Sequence, residues 1–164
     1  MGSDLIKGEV LVGFAISLTN IAIHAVMMAV LVSTAHRASH LTRSAHPKLR
    51  LIVPMWATVS VLMLAHLIEV LVWGATYELL GAVPHGADSF YFAFVNYTTL
   101  GYGDIIPASR WRLLGPLTAM NGVLLFGWST AVMYDTLRTI VTVSPISGEA
   151  AAVGVAKQNQ IQAN

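Results

Sequence analysis

Apolar residues form three long segments of the chain, separated by shorter polar stretches. The first segment, residues 10–35, contains no Asp, Glu, Lys or Arg. A helix of this length measures roughly 39 Å, and the hydrocarbon core of a bilayer is about 30 Å thick. The second segment, residues 51–80, has no charged residue before Glu69, and the third, residues 111–138, has an uncharged centre bounded by charged residues. The pattern predicts three membrane-spanning helices.

The composition agrees with a membrane protein. Of the 164 residues, 55% are hydrophobic and 10% are charged, with a mean hydropathy of +0.67. A soluble domain carries about 25% charged residues, so we expect a single all-α integral membrane domain. The net charge of +1 gives no reason to expect a nucleic-acid partner. The absence of cysteine excludes disulfides, thiolate metal sites and cysteine nucleophiles.

The basic residues predict how the helices are oriented. The loop of residues 36–50 carries four Lys or Arg side chains and no acidic one. Because basic loops stay on the cytoplasmic side, we expect this loop and the short tail of residues 139–164 in the cytoplasm. The N-terminus and residues 81–109 are then expected outside.

A polar, glycine-bearing stretch, NYTTLGYGD, interrupts the outer segment at residues 96–104. It overlaps the end of SFYFAFVNYT, which is apolar enough to be buried but, at about 15 Å, too short to cross a bilayer. Asp88 and Ser89 can cap a short helix there. We predict that residues 88–104 form a re-entrant helix followed by a loop. Irregular backbone at membrane depth must be buried in protein or line a water-filled cavity.

The glycines of TLGYG indicate what this loop can do. Gly101 and Gly103 stand at alternate positions, where glycine adopts the left-handed backbone conformation at little cost. A strand that alternates in this way can direct consecutive carbonyl oxygens toward one axis, and Thr99 adds a hydroxyl oxygen. Stacked cages of neutral oxygens can replace the water around a weakly hydrated monovalent cation. One strand makes no cage, so oligomerisation is expected.

The motif TTLGYGD followed by IIP, after a short aromatic helix and between two spans, resembles the pore module of tetrameric potassium channels over roughly residues 51–137. The resemblance implies a bacterial homotetramer of the inner membrane that conducts K⁺, here with one additional N-terminal helix. The carbonyl oxygens that would coordinate K⁺ are those of Thr99, Leu100, Gly101 and Tyr102, with Gly103 ending the filter. Leu100 replaces the usual Val or Ile, and Val95 replaces the glutamate of some bacterial relatives. Because Val95 has no carboxyl group, a buried carboxyl pair with the filter aspartate is not expected.

The resemblance also implies supporting roles around the filter. Tyr91, Phe92 and Tyr102 would form an aromatic cuff beside Thr98, although Tyr91 and Phe92 could also serve only in packing. We predict that Tyr91 donates a hydrogen bond to Asp104. Four copies of Asp104 would ring the outer mouth with carboxylates and concentrate cations there.

The third span resembles the inner, pore-lining helix of the same family. Gly122 lies one residue before the usual hinge glycine and, with Gly127, is a candidate gating hinge, because glycine weakens a helix. The alternative is that both glycines only allow close helix packing. Ser129 or Thr130 could line the aqueous cavity.

Polar side chains also occur at matching depths of the first two spans. His24 lies near the middle of the first span with Asn20 one turn outward, and His66 lies near the middle of the second span with Glu69 one turn outward. A carboxylate in lipid costs at least ~2.5 kcal/mol, so we expect the two pairs to face each other. Three interpretations remain open, namely a polar clamp between helices, a proton sensor and a metal site.

The remaining features predict little additional chemistry. His36, His40 and His46 include an i, i+4 pair at a spacing used by metals, but a solvated loop is the simpler interpretation. The first span lacks the repeated arginines of a voltage sensor. We expect the tail beyond Ile140 to be disordered and too short for a ligand-gating domain. No cofactor is expected besides the transported ion.

Three classes of function are compatible with these features. A potassium-selective channel accounts for the filter, the topology and the need for oligomers, and a weakly selective cation channel is the nearest alternative. A non-conducting regulatory subunit would leave the alternating glycines and Thr99 unexplained. A membrane enzyme built on His24, His66 and Glu69 would lack a nucleophile, so we expect no enzymatic activity.

Overall fold

The chain is a bundle of helices. The computed structural model describes residues 2–42, 44–84 and 86–143. The elements, in chain order, are α1 (Gly2–Leu41), α2 (Pro47–Leu79), the short α3 (Ser89–Tyr97), a 3₁₀ turn (Ser109–Trp111) and α4 (Leu114–Val143). No strand occurs within the described ranges, so the all-α prediction is confirmed. Of the tail beyond Ile140 that we expect to be disordered, residues 141–143 are helical, because α4 continues through them, and residues 144–164 lie outside the described ranges.

α1 buries one narrow stripe of residues against the other helices. The buried positions follow each other at intervals of three or four residues, which is the helical repeat: 9, 13, 17, 20, 24, 28, 31, 35 and 38. α1 packs along this stripe against α2 and α4. Large apolar side chains such as Leu11, Phe14 and Val26 stay more than half exposed on its other faces. Such a surface suits a lipid environment.

α1 and α2 extend beyond the predicted segments toward each other. α1 continues through residues 36–41, which the charge pattern assigned to the basic loop, because basic side chains and alanine do not interrupt a helix. α2 begins at Pro47, a residue favoured in the first helical turn, and the side chain of His46 accepts a hydrogen bond from the Lys48 N–H at 3.4 Å. The connection is therefore shorter than the predicted loop of residues 36–50.

Among the described residues, two helices are long and apolar enough to cross a membrane by length and composition. They are the helical segments Ile6–Leu41 and Lys48–Leu79. α4, at 30 residues, is long enough but is not one of the two. Its polar residues, which include Asn121, Ser129 and Thr130, lower its hydropathy. The third span of residues 111–138 therefore remains a prediction.

α3 is held between α2 and α4. Its first turn is capped by Asp88, whose Oδ1 accepts hydrogen bonds from the N–H groups of Phe90 and Tyr91, both at 2.9 Å. This cap was predicted from the sequence. Glycines on the neighbouring helices allow close approach, since a Cβ on Gly74 would lie 3.2 Å from the Cα of Phe90.

Two apolar cores stabilise the bundle at different depths. The larger one surrounds α3 and includes Trp73, Tyr77, Phe92, Tyr97 and Leu114. The smaller one joins α1 and α2 through Met28, Leu31 and Leu62. The larger core therefore includes Phe92 and Tyr97 of α3, the helix that leads into the loop.

Candidate functional site: the filter loop and the histidine cluster

The loop after α3, residues 98–104, alternates in backbone conformation. We call it the filter loop after its predicted role. Thr99, Gly101 and Gly103 have φ angles of +60°, +57° and +74°. The left-handed conformation predicted at Gly101 and Gly103 is confirmed. Thr99 shares this conformation although it was not predicted there, and a β-branched residue with positive φ is rare and strained. Strain of this kind persists only where the surrounding structure imposes it, and it is concentrated at functional sites.

Hydrogen bonds to the end of α3 fix the start of the loop. The N–H of Thr99 donates to the Asn96 carbonyl at 2.9 Å, and the N–H groups of Leu100 and Gly101 both donate to the Val95 carbonyl at 2.9 and 3.3 Å. In the described part of the chain, no hydrogen bond ends on a backbone carbonyl oxygen of residues 99–103. The N–H groups at the start of the loop are thus used for anchoring, and the carbonyl oxygens are left available.

The C-terminal end of the loop is tied to α3. The Tyr91 hydroxyl donates to Oδ2 of Asp104 at 2.8 Å, which confirms that prediction, while Oδ1 accepts from the Ile105 N–H at 3.1 Å. The hydrogen bond to the Asp104 carboxylate raises the pKa of Tyr91, because ionising the phenol would bring two negative charges together.

The other predicted support residues have different contacts. Phe92 is buried, with its ring 4.8 Å from that of Tyr77, so it belongs to the aromatic core. Thr98 donates its hydroxyl back to the Phe94 carbonyl at 2.8 Å. Tyr102 is 68% exposed. Within one chain, Tyr91, Phe92 and Tyr102 therefore do not form a cuff together. Of these three, Tyr91 binds the filter loop, through its hydrogen bond to Asp104.

A cavity of about 170 Å³ lies behind the loop. Its lining includes Val95, Gly101, Gly103 and Arg112. Because Val95 is apolar, this cavity receives no carboxyl group from that position, as the sequence predicted.

The two glycines of the candidate hinge have different surroundings. A Cβ on Gly122 would collide with the carbonyl oxygen of Tyr97, at the end of α3. A Cβ on Gly127 would meet nothing within 4 Å, and α4 is continuous through both positions. Close packing therefore accounts for Gly122, which corresponds to the alternative interpretation; the hinge remains a prediction.

A buried group of polar side chains, which we call the histidine cluster, joins all four helices. It consists of His24, His66, Glu69, Tyr97 and Ser129. His24 Nδ1 lies 2.8 Å from Glu69 Oε1, and His66 Nδ1 lies 3.0 Å from Glu69 Oε2. His24 and Glu69 have fully buried side chains, and His66 is 15% exposed. The expectation that the two spans pair these residues is met.

Two members of the cluster were not assigned to it from the sequence. The Tyr97 hydroxyl donates to Glu69 Oε2 and lies 2.9 Å from His66 Nδ1. Ser129 Oγ lies 3.0 Å from His66 Nε2 and 3.4 Å from His24 Nε2. Ser129 was considered only for the aqueous cavity. The position of Ser129 on a predicted span, at the depth of the two histidines, is the sequence feature that could have assigned it to the cluster.

Asn20 lies beside the cluster rather than in it. Its amide nitrogen donates to the Glu69 backbone carbonyl at 3.2 Å and to Asn121 Oδ1 at 3.1 Å. Asn121 Oδ1 also accepts from the Trp73 indole at 3.0 Å. Asn20 therefore connects α1 to α2 and α4 as a structural clamp, without touching the Glu69 carboxylate.

The same residues meet the geometric requirement for a metal site. Ligand atoms of His24, His66 and Glu69 lie within 4.8 Å of one another. His36 and His40 lie on α1 instead of in a loop, and with Arg50 and Asp135 they contribute to the lining of a separate cavity of about 340 Å³. His46 is not part of that lining.

Glu9 is a further buried acid that the sequence pattern did not single out. Its Oε2 accepts a hydrogen bond from the Leu113 N–H at 2.9 Å, just before the first residue of α4. A carboxylate at this position accepts a hydrogen bond from a free N–H and interacts favourably with the positive end of the helix dipole. The start of α1 is thereby fixed to the start of α4.

Comparison with known protein families supports an ion channel. Residues 65–139 match a family model described as "Ion channel". The matched part contains the filter loop and every member of the histidine cluster except His24, which lies on α1. Neither the comparison with curated proteins nor that with solved structures gave a match. An ion-channel family in turn implies ion transport by an oligomer in a lipid bilayer.

Proposed function

We propose that the chain is a subunit of a potassium-selective channel, in which four copies assemble around the filter residues 99–103. The observation that carries this proposal is the backbone of the filter loop, with left-handed residues at 99, 101 and 103. Such alternation directs successive carbonyl oxygens to one side. Rings of these oxygens can replace the hydration shell of K⁺.

The exposure of the loop supports assembly. Leu100 and Tyr102 are 55% and 68% exposed in one chain, although both side chains are large and hydrophobic. Leaving such residues in contact with lipid would also leave their carbonyl groups without partners, which costs several kcal/mol for each group. A fourfold axis in front of the loop removes this cost, since ions and water then occupy the axis.

The topology supports the expected orientation. The bond between Glu9 and Leu113 joins the start of α1 to the start of α4, at the end of the bundle where the filter loop lies. The basic connection between α1 and α2 lies at the opposite end. If that connection is cytoplasmic, the filter opens to the outside and the N-terminus is outside. In a bacterium, this corresponds to the inner membrane.

The short helix α3 adds an electrostatic contribution. Its C-terminal end lies at the inner side of the filter, two residues before Thr99. Carbonyl groups at a helix C-terminus carry a partial negative charge, which favours a cation in front of them. Asp104, held by Tyr91, would place a full negative charge at the outer mouth.

A flux measurement on Gly101→Ala tests the proposal. A Cβ on Gly101 meets nothing within 4 Å, so the substitution acts through the left-handed backbone, at a cost of about 1–2 kcal/mol. The reversal potential would be measured across liposomes with opposed K⁺ and Na⁺ gradients. We expect a K⁺ reversal potential for the unmodified protein and its loss for Gly101→Ala.

Gly86→Ala is the matched control. Gly86 also has a positive φ, +84°, and open space for a Cβ, but it lies in the loop before α3. It should retain the K⁺ reversal potential. Equal passage of Na⁺ and K⁺ through the unmodified protein would indicate a weakly selective cation channel. An absence of flux under all conditions would favour the regulatory subunit.

A further inference from the structure

Hydrogen-bond donors in the histidine cluster all converge on Glu69. A carboxylate only accepts hydrogen bonds. With Glu69 ionised, the Nδ1 atoms of His24 and His66, at 2.8 and 3.0 Å from its oxygens, both carry protons, and the Tyr97 hydroxyl supplies the third donor. This arrangement assigns the tautomer of each neutral ring, with a bare lone pair left at Nε2.

The two Nε2 atoms compete for a single hydroxyl group. Ser129 Oγ lies 3.0 Å from that of His66 and 3.4 Å from that of His24. A serine hydroxyl has only one proton to donate. With both rings neutral, one Nε2 would face the Ser129 oxygen with no proton between them, in a buried site where an unmet acceptor is unfavourable.

One additional proton completes the network. If His24 is protonated at Nε2, it donates to Ser129 Oγ, and the Ser129 hydroxyl donates to Nε2 of His66. Every polar atom of the cluster then has a partner. The imidazolium charge also balances the charge of Glu69, which makes the cluster neutral in a medium where an unpaired charge is costly.

No other described group on the neighbouring helices offsets this charge. α1 contributes His24, α2 contributes His66 and Glu69, and α3 contributes Tyr97. α4 faces the cluster with Ser129 and with the rings of Phe126 and Trp128, which lie 4.6 Å from His66 and 5.1 Å from His24. The titration of the cluster is thus a property of these four titratable groups together.

We propose that the histidine cluster is a proton-binding site whose occupancy regulates the channel proposed above. The bound proton links α4, through Ser129, to α1 and α2 at once. Tyr97, on the same carboxylate, lies two residues before Thr99, the first filter residue. Losing the proton removes one of the two bonds to Ser129. The hold on α4 therefore changes beside the carboxylate that binds Tyr97.

The first experiment follows the protons directly, without using flux. Protein with ¹⁵N-labelled histidine, reconstituted in bilayers, would be titrated while the imidazole nitrogen resonances are recorded. Histidine changes its charge between about pH 5 and 8, so the titration covers that range. We expect one proton per chain to leave the cluster, with resonances that disappear in His24→Gln and His66→Gln. Two neutral rings throughout, or two that titrate independently, would overturn the proposal.

The second experiment measures K⁺ flux across the same pH range. We expect a change in flux of up to about tenfold per pH unit, the limit for one linked proton. His66→Gln and Ser129→Ala should reduce this dependence to that of the background. Ser129→Ala keeps both histidines and Glu69, so a histidine titration should still be seen by NMR, at an altered pH, while flux stops responding. A pH response unchanged in Ser129→Ala would contradict coupling through α4.

The double variant His36→Gln, His40→Gln is the control. It removes two histidines at the far end of α1 and should keep the pH response. Zn²⁺ provides a separate test of the metal interpretation. Inhibition by micromolar Zn²⁺ that is lost in His66→Gln, together with a flat pH response, would replace the proton site by a metal site. If the channel conducts nothing, the flux proposal fails, and the NMR titration still decides on the proton site.

Discussion

The filter loop and the histidine cluster differ in how much of each site one chain supplies. The residues of the proposed filter are consecutive in sequence and exposed, and in the proposed tetramer they would form a complete ion site only together with those of the other copies. The cluster combines residues up to 105 positions apart, from all four helices, and it is buried and complete within one chain. In the proposed tetramer, each subunit would therefore carry its own histidine cluster, while the ion path is shared by all four subunits.

Local and long-range interactions therefore dominate in different places. The conformation of the loop follows from glycine at alternate positions and from N–H bonds to the end of α3. The cluster depends on helix packing. His66 and Glu69 lie one helical turn apart on α2, and the other members lie on three different helices. Substitutions should separate these two kinds of site.

Glu69→Ala is expected to have the largest effect on stability. It leaves three donors, from His24, His66 and Tyr97, without their acceptor in a buried site. Removing one partner of a buried charged pair costs about 3–5 kcal/mol. Denaturant unfolding of the purified protein would measure the loss. Glu78→Ala, at an exposed position of the same helix, is the control and should cost far less.

Gly122→Ala is expected to come next. Its Cβ would collide with the Tyr97 carbonyl oxygen, between the cluster and the filter, so both sites should be disturbed. Overpacking of this kind costs about 1–3 kcal/mol. Thermal unfolding and K⁺ flux would both be measured, with Gly127→Ala as the control in open space. Equal effects of the two substitutions on flux, without loss of stability, would instead support the gating hinge.

Asp88→Ala should have a moderate effect that is confined to the filter side. It removes the acceptor for the Phe90 and Tyr91 N–H groups, and loss of an N-cap costs about 0.5–2 kcal/mol. We expect faster hydrogen exchange at the start of α3, while the histidine resonances of the cluster stay unchanged. A shift of those resonances would show that the two sites are coupled through α3.

The smallest expected effect concerns Tyr91 at high pH. The carboxylate of Asp104 raises the pKa of Tyr91, so the neutral phenol is favoured in the folded protein. The contribution of this bond to stability is fully present at pH values below the ordinary pKa of tyrosine. It is lost as the pH rises through the raised pKa of Tyr91. Ultraviolet absorbance of tyrosinate would follow the ionisation. Asp104→Asn should bring the titration back toward the ordinary range.

Much of the filter side could be predicted from the sequence. The cap at Asp88, the left-handed Gly101 and Gly103, and the bond from Tyr91 to Asp104 depend on residues within 17 positions of one another. Residue type and spacing restrict such local geometry strongly. The conformation of Thr99 could not be predicted, because a threonine adopts positive φ only when the surrounding hydrogen bonds impose it.

The sequence by itself determined the presence of the helices, the apolar character of the first two and the left-handed glycines of the filter loop, because these depend on hydrophobicity, length and glycine content. It also indicated that His24, His66 and Glu69 lie at similar depths. Only the tertiary structure decided that Tyr97 and Ser129 complete the cluster, that Glu9 reaches the start of α4 and that Gly122 makes room for Tyr97. Those contacts depend on the rotation of each helix about its own axis, which is set by the packing of all four helices together.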